Sequence, residues 1–138
     1  ATICGSLGVD AAPSIDAAQR AAVAAMGPLH VQVRGLFSGN VNTGRFYLRA
    51  YPERRDGANV FHRIQQAMGR PTTDLYVIGL WNLTDHLDAR EAAALDAILT
   101  DWCDVPLLDL EARELWLMGA RDDLVLDAEI AERIALTG

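Results

Sequence analysis

Apolar residues recur with the period of a strand in one part of this chain and with the period of a helix in others. Val31 and Val33, followed by Phe46, Leu48 and Ala50, alternate with polar or amphipathic residues. Alternation of this kind is typical of strands with one buried face, so it predicts a β-hairpin. The connection SGNVNTG is rich in turn-forming residues and longer than a two-residue turn, which predicts an extended loop.

Four segments are predicted to be helices from their apolar spacing and their capping residues. SIDAAQRAAVAAMGP begins after Ser14 as N-cap, and RDGANVFHRIQQAMGRP begins after Asp56 as N-cap. DHLDAREAAALDAILTDW has Asp88 and Glu91 at the spacing of a capping box. The fourth, DAEIAERIAL, is predicted to be a short terminal helix capped by Asp127.

Two further strands complete the predicted fold. DLYVIGLWNL is the most apolar strand of the chain, and its unbroken run predicts a central strand buried on both faces. ARELWLMG is the last strand, although the residues before it (DLEARELW) also suit a partial helix. The resulting order, α-β-β-α-β-α-β-α, predicts an α/β (α+β) fold: a two-layer sandwich around a mixed sheet of about four strands. With 138 residues, we expect a single domain spanning 1–138.

Composition excludes several classes of protein. A chain with 51% hydrophobic and 22% charged residues is not typical of disorder. Cys4 and Cys103 form no disulfide framework and no metal-ligand spacing, so we expect a cytoplasmic or otherwise reducing compartment, with no metal and no cofactor. The N-terminal segment has neither a basic start nor an unbroken apolar run, which argues against a signal peptide and a membrane partner. All twelve basic residues are arginine, which excludes lysine-based catalysis.

Charge is divided unevenly along a chain whose formal net charge is -7. Residues 34–70 contain seven arginines against two acidic residues, whereas residues 71–138 contain four arginines against fifteen acidic residues. The hairpin and the helix after it are therefore basic, and the C-terminal half is strongly acidic.

Pleating of the second hairpin strand sharpens this contrast. If Phe46, Leu48 and Ala50 face the core, the residues between them must face the other way. Arg34 on the partner strand can join this outward row, and two arginines continue it beyond Pro52. The predicted binding residues are Arg34, Arg45, Tyr47, Arg49, Tyr51, Arg54 and Arg55.

Three interpretations of these residues stay open at the level of sequence. The arginines could be neutralised by the chain's own aspartates on a solvated sheet face. They could form a site for an anionic ligand, because guanidinium groups bind carboxylate or phosphate bidentately. They could also meet the acidic half of a second copy or another protein, since arginine and tyrosine are enriched at interface hot spots. An acidic chain with pI ≈ 4.8 argues against nucleic acid as the ligand.

We expect a non-enzymatic protein that self-associates or docks into a larger complex through the basic hairpin face and the acidic half. The alternative is a small enzyme that binds an anionic small molecule through the arginines and uses a histidine as acid or base. His62 is the first candidate for that role, and His86 beside Asp85 is the second. A nucleic-acid-associated accessory protein is the third hypothesis. None of the three histidines falls in a metal-binding motif, and no phosphate-binding glycine loop is complete.

Overall fold

A computed structural model describes residues 1–5, 13–39, 44–120 and 127–138 of the chain. It confirms an α+β fold with a four-stranded main sheet. The helices are α1 (Ala17–Ala24), α2 (Val60–Ala67) and α3 (Ala89–Trp102). The strands are β1 (Leu29–Ser38), β2 (Arg45–Pro52), β3 (Arg54–Arg55), β4 (Ala58–Asn59), β5 (Val77–Asn82), β6 (Pro106–Ala112), β7 (Glu114–Ala120) and β8 (Ala128–Ala135). Most of the predicted loop between β1 and β2 (40–43) lies outside the described residues.

The main sheet has the strand order β5-β2-β1-β6, and its strands run antiparallel. The predicted hairpin is confirmed as β1 and β2, with Val33 and Phe46 among the most deeply buried residues. The prediction of a central, doubly buried strand for DLYVIGLWNL is wrong, because β5 lies at the edge of the sheet and, among the described residues, pairs only with β2. The composition of β5 shows only how apolar the strand is. After β5 the chain continues through α3 to β6 at the opposite edge of the sheet, and this leaves β5 at the other edge.

The described residues form two compact units, each built from three stretches of chain. The first unit contains Ala1–Thr2, Val31–Tyr51 and Thr73–Leu110, and the second contains Ile3–His30, Pro52–Thr72 and Glu111–Gly138. The first unit buries Val31, Val33, Leu36, Phe46, Ala50 and Tyr76. The second unit buries Val23, Leu29, Val60, Phe61, Ile64, Gln65, Ile134 and Leu136. The prediction of one domain stays a prediction.

Two of the helices begin two or three residues later than predicted, because other residues cap them. Helix α1 begins after Asp16, whose carboxylate accepts the Gln19 backbone N–H while the Gln19 side chain accepts the Asp16 N–H, so Ser14 is not the N-cap. Helix α2 begins after Asn59, because Asp56 stands in a turn with φ +50°. The predicted capping box of α3 is confirmed: Asp88 accepts from the Glu91 N–H at 2.8 Å.

Asp56 and Gly57 form the turn of a short hairpin that joins β3 to β4. Both residues have positive φ, which is the backbone of a type I′ turn and explains the Asp-Gly pair at this point. The turn thus uses the aspartate that capping rules assigned to the helix.

The predicted terminal helix DAEIAERIAL is wrong. Strand β8 occupies this segment and pairs antiparallel with β7 along its whole length, for example Leu115 with Ile134 and Trp116 with Arg133. Alanine, glutamate and arginine favour helices, but cross-strand pairing and the burial of Ile134 and Leu136 override that preference. The residues before ARELWLMG are likewise a strand, β6, and not a partial helix.

Most of the buried residues lie on β1, β2 and α2. No residue between 77 and 120 is buried, and this range includes all of β5, α3, β6 and β7. On α3, Ile98 is 48% exposed and Trp102 is 47% exposed. None of the helices in the described part of the chain combines the length and apolar composition needed to cross a bilayer.

Gly35 allows the end of α3 to approach β1. Its N–H donates to the Val105 carbonyl at 2.9 Å, and its φ is +35°. A Cβ atom at this position would lie far inside van der Waals contact with the Cys103 carbonyl group. Glycine is therefore required here both for its backbone conformation and for the space it leaves.

Replacing Gly35 with alanine is expected to lower the free energy of unfolding by at least about 2 kcal/mol, since strained backbone alone costs on the order of 1–3 kcal/mol. Urea unfolding followed by circular dichroism measures the change. Gly5→Ala is the matched control, because nothing lies within 4 Å of a Cβ placed there. Equal stability of the two variants would show that the approach of Cys103 imposes no constraint.

Candidate functional site

The alternation of β1 changes phase at Gly35. Val31, Val33, Gly35 and then Leu36 are buried, so two successive residues face the core. Phe37 consequently takes the outward side, where sequence alternation alone would not have placed it. A glycine inside a strand pattern is a known signal of such a break.

Phe37 lies within a group of arginines and aromatic rings on the outward side of β1 and β2. Its ring stacks on Tyr47, with 5.5 Å between the centroids. The Arg49 Cζ atom lies 4.7 Å from the Phe37 centroid, and the Arg45 Cζ atom lies 5.6 Å from the Tyr47 centroid. We call this set the arginine–aromatic face; it comprises Arg34, Phe37, Arg45, Tyr47, Arg49 and Tyr51.

Arg34 is neutralised within its own unit. Its guanidinium donates to both Asp104 carboxylate oxygens, at 2.9 and 3.0 Å, and to the Asp104 carbonyl at 2.7 Å. The Arg34 Cζ atom also lies 5.7 Å from the Tyr51 centroid. Arg34 therefore fits the interpretation in which the arginines are neutralised by the chain's own aspartates, because its partner Asp104 belongs to the acidic half.

Arg45 and Arg49 differ from Arg34. Arg49 is exposed and Arg45 is half-buried, and neither is paired with a carboxylate of the described residues. A ring contact stabilises an exposed cation by about 0.5–1 kcal/mol without using its planar fork of N–H donors. These two arginines can therefore offer oriented donors to a carboxylate or phosphate from outside the chain.

The structure places Arg54 and Arg55 in the second unit, on β3. Arg54 donates to the Gly57 carbonyl at 2.5 Å. Arg55 donates to the Met26 and Pro28 carbonyls and, at 2.5 Å, to the Glu53 carboxylate. These hydrogen bonds lie within the second unit, so part of the donor capacity of both arginines stabilises that unit, and their predicted role in binding stays a prediction.

Glu53 closes this Arg55 cluster. The hydrogen bond from Arg55 lowers the pKa of the Glu53 carboxyl group, and the His30 backbone N–H, which donates to it at 2.8 Å, lowers it further. The charged carboxylate is therefore the form that the folded chain stabilises.

A cavity of about 180 Å³ in the second unit is lined by Ala22, Ala25, Met26, Arg55, Val60 and Arg63. Arg63 donates to the Arg55 carbonyl at 2.7 Å and to Asp56 at 3.0 Å. Both arginines that line the cavity thus already have partners within the chain. No histidine lines this cavity.

The candidate acid–base residues fall in different units. Asp85 and His86 are exposed between β5 and α3 in the first unit, whereas His62 is half-buried on α2 in the second. Within the part of the chain that the structure describes, no three His, Cys, Asp or Glu residues are grouped to hold a metal ion.

Comparison with protein families, with curated proteins and with solved structures finds no match to this chain.

The Glu53 cluster predicts a specific loss of stability in acid. Because the Glu53 pKa is lower in the folded chain than in the unfolded chain, its contribution is complete above the ordinary glutamate pKa of about 4.3 and is lost as the pH falls through the folded value. Glu53→Gln should be less stable than the wild type at neutral pH and should lose less stability below about pH 4.3. Chemical unfolding at a series of pH values measures this difference.

Glu129→Gln, an exposed substitution of the same type, is the matched control and should keep the wild-type dependence on pH. If Glu53→Gln and the wild type lose stability in parallel, the Arg55 contact does not stabilise the charged carboxylate.

Proposed function

We propose that the protein works by association with an acidic protein surface, which binds the arginine–aromatic face. The observation that carries this proposal is the state of Arg45 and Arg49, which lie against aromatic rings and have no carboxylate partner among the described residues. A face of this composition resembles the centre of many protein interfaces, where arginine and tyrosine contribute most of the binding energy.

A second copy of the chain is the partner that the charge distribution favours. Asp85, Asp96 and Asp101 are exposed, and none has a carboxylate–arginine contact within the described residues. Contact between this acidic region of one copy and the arginine–aromatic face of another would be heterologous, because the two surfaces differ. Contacts of that kind close into rings or continue as filaments.

Removal of Arg45 and Arg49 is expected to weaken this association about two- to thirtyfold, since each exposed ion pair contributes on the order of 0.2–1 kcal/mol and two are lost. Sedimentation velocity over a range of protein concentrations, at about 50 mM and about 500 mM salt, measures it. The wild type should associate more strongly at the lower salt concentration, and Arg45→Ala/Arg49→Ala should show no dependence on salt.

The control removes the same charge elsewhere. Arg90→Ala/Arg113→Ala deletes two exposed arginines outside the arginine–aromatic face and should associate at least as well as the wild type. Equal weakening in both double variants would indicate an effect of net charge alone. A wild type with no salt-dependent association would direct the search to a different acidic protein.

A further inference from the structure

The two edges of the main sheet differ in how well they are protected against pairing. Strand β6 carries Pro106, Asp109 and Glu111, and proline and charged residues are the usual means of protecting an exposed edge. Strand β5 has neither proline nor charge, and its pairing with β2 is interrupted by one register shift, at Leu80. The chain is uncharged and free of proline from Leu75 to Thr84, a range that contains all of β5.

Strand β5 also leaves its apolar side chains open. Leu80 is 42% exposed and Trp81 is 47% exposed. One side of Trp81 stacks on buried Phe46, with 5.5 Å between the ring centroids, and the rest of the indole has no such cover. In the described part of the chain, β2 is the only strand that pairs with β5, so the outer backbone groups of β5 face no strand.

We propose that β5 pairs antiparallel with β5 of a second copy, which joins two four-stranded sheets into one continuous sheet. The proposal accounts for a composition typical of a central strand at the edge of this sheet, because β5 is central once the copies have paired. Antiparallel pairing about a two-fold axis lets one segment satisfy the same segment of its copy.

A second copy fits at β5 because this strand carries no charge, although the chain as a whole is acidic. A chain of net charge -7 repels its own copy over most of its acidic half, where Asp85, Asp96 and Asp101 are exposed. The uncharged run from Leu75 to Thr84 allows two copies to approach without placing like charges opposite each other. Backbone pairing of β5 needs no ion pair from Arg45 or Arg49, although both lie on the adjacent strand β2, so this interface should persist at high salt.

The test compares the two edges with the same substitution. Leu80→Lys places a charge on β5, and Leu108→Lys places one on β6, where the leucine is 51% exposed. Light scattering during size-exclusion chromatography, at about 500 mM salt to screen the arginine contacts, measures the mass. The wild type and Leu108→Lys should have twice the 15.0 kDa chain mass, and Leu80→Lys should have the mass of one chain. The proposal would be overturned by a wild type with the mass of one chain, even if its β5 edge binds another protein. It would also be overturned by a Leu80→Lys variant with the mass of two chains.

A second measurement decides the matter if Leu80→Lys fails to fold, as judged by circular dichroism. In a chain with Cys4→Ser and Cys103→Ser, single cysteines are placed in turn from Val77 to Asn82 and oxidised. Antiparallel pairing about a two-fold axis predicts disulfide-linked dimers at positions near the axis and few at the ends of the strand. Absence of crosslinks along β5, or equal crosslinking at every position, would contradict the pairing.

Discussion

The close approach of α3's C-terminal end to β1 at Gly35 is the constraint on which the first unit depends. The Gly35 N–H binds the Val105 carbonyl, and the backbone of Cys103 occupies the space that any side chain would need. The chain enters β6 directly after Val105, so the Gly35–Val105 hydrogen bond lies where β6 begins to pair with β1. The ion pair between Arg34 and Asp104 reinforces this contact. It also turns Phe37 outward, where the ring supports Arg49 and Tyr47. One glycine thus connects the sheet to the candidate site.

Features with a local cause could be predicted from the sequence, and features with a distant cause could not. The α3 capping box and the β1–β2 hairpin follow from residues within a few positions of each other. Strand β8 could not be predicted from its own residues, which favour a helix, because it forms by pairing with β7. The edge position of β5 could not be predicted from its own residues either. The Asp56-Gly57 turn was predictable in principle, since Asp-Gly is a strong hairpin signal, but the same aspartate also suits a helix cap.

The candidate site shows the same division. Alternation along β2 identifies Arg45, Tyr47 and Arg49 as outward residues, and the ring contacts agree with this assignment. Sequence alone could not separate Arg34, which Asp104 neutralises, from arginines without such a partner, because the pair spans a sequence separation of 70. It also could not show that Arg55 belongs to a cluster of backbone carbonyls in the second unit. Charge counts indicated an asymmetry along the chain, and the three-dimensional contacts show that Arg45 and Arg49 are the arginines of the arginine–aromatic face without a carboxylate partner among the described residues.

The strand order has a consequence for synthesis of the chain. Strands β1 and β2 are adjacent in sequence, so they can pair once a short loop has closed. Strand β1 can pair with β6 only after synthesis has passed residue 106, where β6 begins. Throughout that interval β1 is a temporary edge, open to pairing with other nascent chains. Arg34 and Gln32 lie on this strand, and polar or charged residues of that kind oppose such pairing. In the completed fold both become partners of aspartates near or in β6, Asp104 and Asp109. Gln32 and Arg34 therefore oppose pairing of β1 with other chains before β6 is made, and they bind aspartates in or next to β6 afterwards.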